Sequence, residues 1–270
     1  MFVWHIAGTL KVWKQGETFL INQNVDFYKV SEGTIVFFDF NERTLNVWYN
    51  GKTFTIDENH VDFPLTSLQV SNKTVAWQTP DYQFKVFFDG NIISKPIYEE
   101  NLMFQTGELF CTLNNPVTQE YEMLTPDGMF SMETSPAKWW ASKYHQLIYL
   151  NSYDDLKIII GDYTTSIGNH KPSVHILTQN GLYYNRLQQI LYFENQLEKV
   201  VVNYIPNYYY VFNQFFVYRN ESGRIVVWNN GNESIPEVTA SATFEPMTNV
   251  LAIKEATRTS FWFNGKVYDY

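Results

Sequence analysis

Residues 44–57 read TLNVWYNGKTFTID, an Asn-Gly pair between two short apolar runs. A two-residue hairpin matches the right-handed twist of its strands when its central residues take positive φ, which Asn and Gly tolerate best. The stretch therefore reads as a hairpin. VWKQGETF around Gly16, VFFDGNII around Gly90, LTPDGMFS around Gly128, VWNNGNES around Gly231 and FWFNGKVY around Gly265 repeat the pattern of VWYNGKTF around Gly51. Two weaker copies, IIIGDYTT with Asp162 in its turn and LYFENQLE with Asn195 there, fill the remaining gap. Successive turn positions lie 35, 39, 38, 34, 33, 36 and 34 residues apart. A period that runs through the whole chain predicts one repeat-built domain over residues 1–270.

Around each hairpin the unit fills out to four strand-sized pieces. From Asp26 these are DFYKVSE, TIVFFDF, TLNVWY and KTFTID, separated by short polar turns. Four strands in about 34–39 residues is the pattern of a β-propeller blade. The third strand carries neighbouring apolar residues, such as Val47 and Trp48 or Val227 and Trp228. Neighbours on a strand point to opposite faces, so both faces are expected to be covered. Trp13, Trp48, Phe87, Ile159, Tyr192, Trp228 and Trp262 are accordingly assigned to the contacts between blades. The expected fold is all-β, a single closed β-propeller of eight blades whose first blade lacks its first strand. Seven blades with a displaced terminal hairpin is the alternative. Residues 181–201 have some helical spacing, but their repeat phase and aromatic content fit two strands around the ENQ turn.

Composition narrows the function. The chain is 45% hydrophobic, with 21 Phe, 19 Tyr and 8 Trp, and 17% charged, which predicts a folded protein with a large core. A net charge of −9 and the lack of a Lys/Arg run exclude nucleic acid as an expected partner. No basic segment leads into an apolar stretch at the N-terminus, and no long apolar run follows. The expectation is a protein without a signal peptide or membrane span, located in the cytoplasm of the producing cell, or in a virion if phage-encoded.

Reactive constellations are scarce. Cys111 in ELFCTL reads as a small buried apolar residue. His5, His60, His145, His170 and His175 are scattered, and the pair in GNHKPSVH has no acidic partners for a zinc site. Asp154 and Asp155 are two oxygens-bearing residues where calcium would need several at regular offsets. No cofactor, metal or catalytic residue is expected. Two aromatic clusters interrupt the repeat pattern, Trp139-Trp140 and Tyr208-Tyr209-Tyr210. They are the candidate binding surface, because exposed aromatics stack on sugar rings or anchor protein contacts, although alternate members would also fill the core between blades.

With its repeats laid out, the chain resembles β-propeller repeat proteins. The Gly-His and Trp-Asp signature of WD-repeats, the double glycine of kelch and the S-x-D-x-G-x-T-W of Asp-box propellers are missing. The unit φ-x-V-W/F-x-N/D-G-K, where φ is apolar, is instead similar to short propeller repeats of bacterial and bacteriophage proteins. That resemblance implies no catalytic residue. A rigid disc without reactive motifs is expected to be a non-enzymatic platform for other proteins in a multi-subunit assembly, most concretely a bacteriophage virion or tail-associated structural protein. A carbohydrate-binding propeller is the alternative, with a glycan as ligand.

Overall fold

Left-handed backbone positions mark where the strands turn. A computed structural model describes residues 1–58, 67–212, 215–239, 241–247, 250–263 and 265–269; His60 lies outside them. Gln15 and Gly16 have φ of 53° and 91°, Asn50 and Gly51 50° and 78°, Asp89 and Gly90 44° and 99°, and Asn230 and Gly231 49° and 96°. Gly265, at 82°, takes the same role. Asn195 and Gln196 reach 49° and 63° without any glycine. Gly128 is a correction: Thr125 pairs with Gly128 itself, so Pro126 and Asp127 form that turn and the glycine opens the next strand.

Every described element is a strand, and the strands form eight antiparallel sheets. The first has three strands, Phe2–Ile6, Thr9–Lys14 and Glu17–Asn22, and the other seven have four each. In the second these are Val25–Ser31, Thr34–Asp39, Thr44–Tyr49 and Lys52–Glu58, each paired with the next in sequence. Residues 181–201 belong to three strands, Leu182–Arg186, Gln189–Glu194 and the start of Leu197–Val202. The chain divides into two compact units, Met1–Asn169 with the first five sheets and His170–Tyr270 with the last three. Among the described residues no helix is long and apolar enough to cross a membrane.

A bulge recurs at one position of the repeat. The pairing of third and fourth strands slips by one residue at Leu10/Lys11, Leu45/Asn46, Tyr121/Glu122, Leu156/Lys157 and Ile190/Leu191. Each slip leaves one extra residue on the fourth strand: Ile21, Ile56, Met132, Ile167 or Val201. A bulge twists its strand and re-aims the extra side chain. Here Ile56, Ile167 and Val201 are buried, while Ile21 and Met132 pack partly buried against the core.

Within each unit the cores lie between consecutive sheets. Leu10 and Val12 of the first sheet pack with Ile35, Phe37 and Trp48 of the second, and Val47 and Ile56 of the second with Val75, Trp77 and Phe87 of the third. In the C-terminal unit, Trp228 joins the cluster of Tyr183, Tyr192 and Phe216, and Trp262 that of Phe215, Val217 and Val227. Ile159 is partly buried beside Tyr121 and Trp140. Polar links reinforce the stack: Asp57 of the second sheet accepts bonds from Trp77 Nε1 (2.7 Å) and Lys85 Nζ (3.1 Å) of the third. Buried Thr34 and Thr74 accept the backbone N–H of Lys73 and Leu109 in the sheet that follows each.

Two residues assigned between blades depart from that assignment. Trp13 is 47% exposed, against 4% for its repeat equivalent Trp48, because it lies on the outer face of the first sheet beside exposed Phe2. Tyr192 is buried but out of phase. Glu194 pairs with Leu197, so Phe193 is the equivalent of Trp48, and Tyr192 faces the following sheet. Without a glycine to anchor the turn, the sequence alignment slipped by one residue, and one residue on a strand changes the face.

Candidate functional site

Three first strands of the N-terminal unit, Gln69–Ser71, Phe104–Gly107 and Trp139–Lys143, are tied to one another by side chains. Gln69 donates from Nε2 to the Phe104 carbonyl (2.6 Å), and its Oε1 accepts the Thr106 N–H (3.3 Å). Gln105 repeats this one sheet later, donating to the Trp140 carbonyl (3.2 Å) and accepting the Ser142 N–H (2.9 Å). One sheet earlier, Lys29 Nζ reaches the Leu68 carbonyl at 2.8 Å. A glutamine amide carries one donor and one acceptor side, so it can bridge the carbonyl and N–H of an unpaired strand edge as another strand would. At the next equivalent position stands Ala141, which has no side chain to extend the series.

The residues immediately before those carbonyl-bearing positions, Ser67, Met103 and Trp139, line a cavity of about 420 Å³. Leu102, Phe104 and Trp140 are its buried members. Met103, at 63% exposure, and partly exposed Trp139 stand at the accessible side. Lys138 completes the lining and is paired with Asp154 at 2.6 Å, both side chains being largely in solvent.

The strand geometry separates the two tryptophans. Trp140, 7% exposed, packs its ring 5.4 Å from that of Tyr121, in a core with Phe110, Ala137, Leu147 and Tyr149. Adjacency on a strand turns Trp139 to the opposite face. The tyrosine run sits in the C-terminal unit and divides the same way. Tyr209 stacks on Phe216 at 5.3 Å with 12° between the planes, whereas Tyr208 and Tyr210 are exposed and lean edge-on against Phe244. Sequence reading found the aromatics but missed Gln69, Gln105 and Met103. The available signal was their repeat phase: Gln69 and Gln105 occupy equivalent positions of successive units, as do Ser67, Met103 and Trp139.

The amides of the site are engaged with backbone, and no three His, Cys, Asp or Glu residues cluster as metal ligands among the described residues. Cys111 is fully buried, and burial pushes its thiol well above the ordinary range, away from nucleophilic use. Burial, with Lys171 nearby, lowers the His175 imidazole.

A family model described as a 10-bladed beta propeller domain matches residues 1–268. Among solved structures, the chain is similar to the computationally designed Ika8 protein at 13% identity, covering 92% of this chain and 86% of that one with a TM-score of 0.40. It is also similar to Prp20p from Saccharomyces cerevisiae (8%, 82% and 79%, TM-score 0.45) and to Hsv2 from Kluyvelomyces marxianus (10%, 88% and 91%, TM-score 0.46). No curated protein matches. The ten blades of the matched model overturn the expectation of a single closed ring of eight blades, or of seven. Hairpins count sheets. How many sheets make a propeller depends on the wedge between neighbours, which side-chain volumes set and turn spacing does not record.

Proposed function

The chain belongs to the 10-bladed beta propeller domain family, and from that premise we propose that it is a non-enzymatic platform that holds a protein partner. The observation that carries this reading is the cavity between the first strands of the third, fourth and fifth sheets. Its 420 Å³ suits one or two inserted side chains, at the small end of ligand pockets. Its floor is apolar, and a flexible methionine and a tryptophan flank its opening. Met and Trp supply large adaptable contact area, and buried aromatic anchors dominate interface energies. Ser67, Gln69, Gln105 and Lys138 also line it, so the contact offered mixes apolar and polar groups.

The setting we assign is a larger assembly, most concretely a bacteriophage virion or tail. Support for it comes from the similarity of the repeat unit to phage and bacterial propeller repeats. The test is co-purification from the native source using wild type, Trp139→Ala and Met103→Ala. Trp139 and Met103 are accessible, so both variants should keep the wild-type circular dichroism. We expect partner capture to drop at least ten-fold in Trp139→Ala, the range of a hot-spot residue. Equal capture by all three would overturn the reading. A glycan ligand would stack on Trp139, but Ser67 and Met103 at the equivalent positions provide no second platform. Glycan-array binding lost in Trp139→Ala would favour the sugar over the protein.

A further inference from the structure

The cavity beside Met103 and Trp139 opens among loops that the fold holds in fixed shapes. In a sheet of four consecutive antiparallel strands, the turn between the second and third lies at the end where the first begins. The third sheet shows the two meeting, with the ring of Tyr82 in that turn 6.0 Å from the ring of Tyr98 in the segment leading to the next first strand. That segment, residues 97–103, is anchored by backbone: Gln78 Nε2 donates to the carbonyls of Ile97 (3.1 Å) and Glu99 (2.8 Å), and the Ile97 N–H donates to the Tyr82 carbonyl (2.9 Å). Ile97 and Leu102 are buried in the core, which leaves Tyr98, Glu99, Glu100 and Met103 in solvent, Tyr98 at 74% exposure. Residues 151–155 are fixed likewise. Asn151 Oδ1 accepts the N–H of Tyr153 (3.0 Å) and of Asp155 (2.9 Å), and Tyr153 stands 80% exposed.

Charge around the cavity is one-sided. Residues 79–82, 97–103, 115–119, 134–138 and 151–155, the loops at this end of the third to fifth sheets, hold five carboxylates, Asp81, Glu99, Glu100, Asp154 and Asp155. Against them stands one cation, Lys138, which Asp154 already holds at 2.6 Å. The exposed rings of Tyr98 and Tyr153 add to the same preference, because the face of a tyrosine attracts a cation. An apolar cavity edged by carboxylates and rings complements a chain that carries Lys or Arg beside an apolar side chain. A second copy of this chain, at a net charge of −9, would bring like charge to it. We infer that the partner docks through a basic segment, with an apolar side chain in the cavity and Lys or Arg side chains on Glu99 and Glu100. The inference rests on the platform reading and adds the chemistry of the partner. Because the loops are already ordered, docking costs little conformational entropy on this side.

The test is an array of random-sequence peptides probed with the full chain at low salt, followed by fluorescence anisotropy of the bound peptides. Wild type is compared with a Glu99→Gln/Glu100→Gln double variant and with Trp139→Ala, all checked for fold by circular dichroism. Bound peptides should carry Lys or Arg close in sequence to Leu, Phe or Met. The double variant should bind them about ten-fold more weakly at low salt, and the difference should vanish near about 1 M salt, where exposed charges are screened. Trp139→Ala should weaken binding at both. Bound peptides that are neutral or acidic, or a double variant that binds as wild type does, would overturn the inference; if those peptides are still lost in Trp139→Ala, the platform stands and only its basic partner falls. An array with no bound peptide would also overturn the inference, while co-purification would still decide the platform itself.

Discussion

Glycines at single positions do two different jobs in this chain, and the distinction predicts what substitution costs. Gly16 has φ of +91° with open space around its absent side chain, so an added methyl meets only left-handed strain, roughly 1–2 kcal/mol. Gly181 is the opposite case: a Cβ there would lie 2.4 Å from the Phe193 carbonyl oxygen and 2.9 Å from the Tyr192 ring. The carbonyl is backbone and cannot rotate away. Gly181→Ala should therefore lower stability by about 3 kcal/mol, the upper end for overpacking, and more than Gly16→Ala. Denaturant midpoints of the two variants check this, and a smaller loss at Gly181 would refute it. The same residues show what was legible. Asn50-Gly51 announces a left-handed turn by composition, whereas Asn195-Gln196 adopts the same conformation with a residue that announces nothing. That is why Tyr192 and Phe193 were exchanged. Gly181 was invisible for another reason, since its constraint is a close approach by the backbone of the next strand, which composition does not record.

The hairpin was readable at the level of the element and the bulge was not. Alternation and turn residues identify a strand pair, but the residue that a bulge adds is an ordinary apolar one. Ile56 in KTFTIDE looks like any other strand isoleucine. The slip at Leu45/Asn46 makes it the extra residue, and it is 4% exposed in the core shared with the third sheet. Ile92 also lies on a fourth strand, in regular register opposite Phe87, and is exposed. Ile56→Ala should cost about 2–4 kcal/mol, as expected for emptying a core site, while Ile92→Ala should stay within about 0.5 kcal/mol. Thermal unfolding of both would show the contrast, and equal effects would mean that the bulge does not direct its residue into the core. The glutamine bridges belong to this scale too. Their partners are backbone groups one repeat away, so only an alignment of repeat phases could have revealed them, and the cavity beside them followed from the same alignment.

Across the whole molecule, the tyrosines that build the cores also set the limit of stability at high pH. Burial pushes the phenols of Tyr149, Tyr183, Tyr184, Tyr192 and Tyr218 far up, and nearby glutamates add to the effect. Tyr144 is pushed up to about 12, by burial first and then by Glu32. A phenol whose folded value exceeds its unfolded value of about 10 holds its proton more tightly in the native state. Its contribution is complete below about pH 10 and is lost as pH rises toward the folded value. Several such groups acting together predict cooperative alkaline unfolding that begins just above pH 10. Phenolate absorbance and the near-ultraviolet dichroism of the cores should then change in one step. Tyr144→Phe removes one of the linked protons, so stability should fall less steeply between about pH 10 and 12 than in wild type. Buried tyrosines that ionise gradually while the dichroism persists would show that the sheets open to solvent without unfolding, and that the aromatic packing between them is not what holds each unit together.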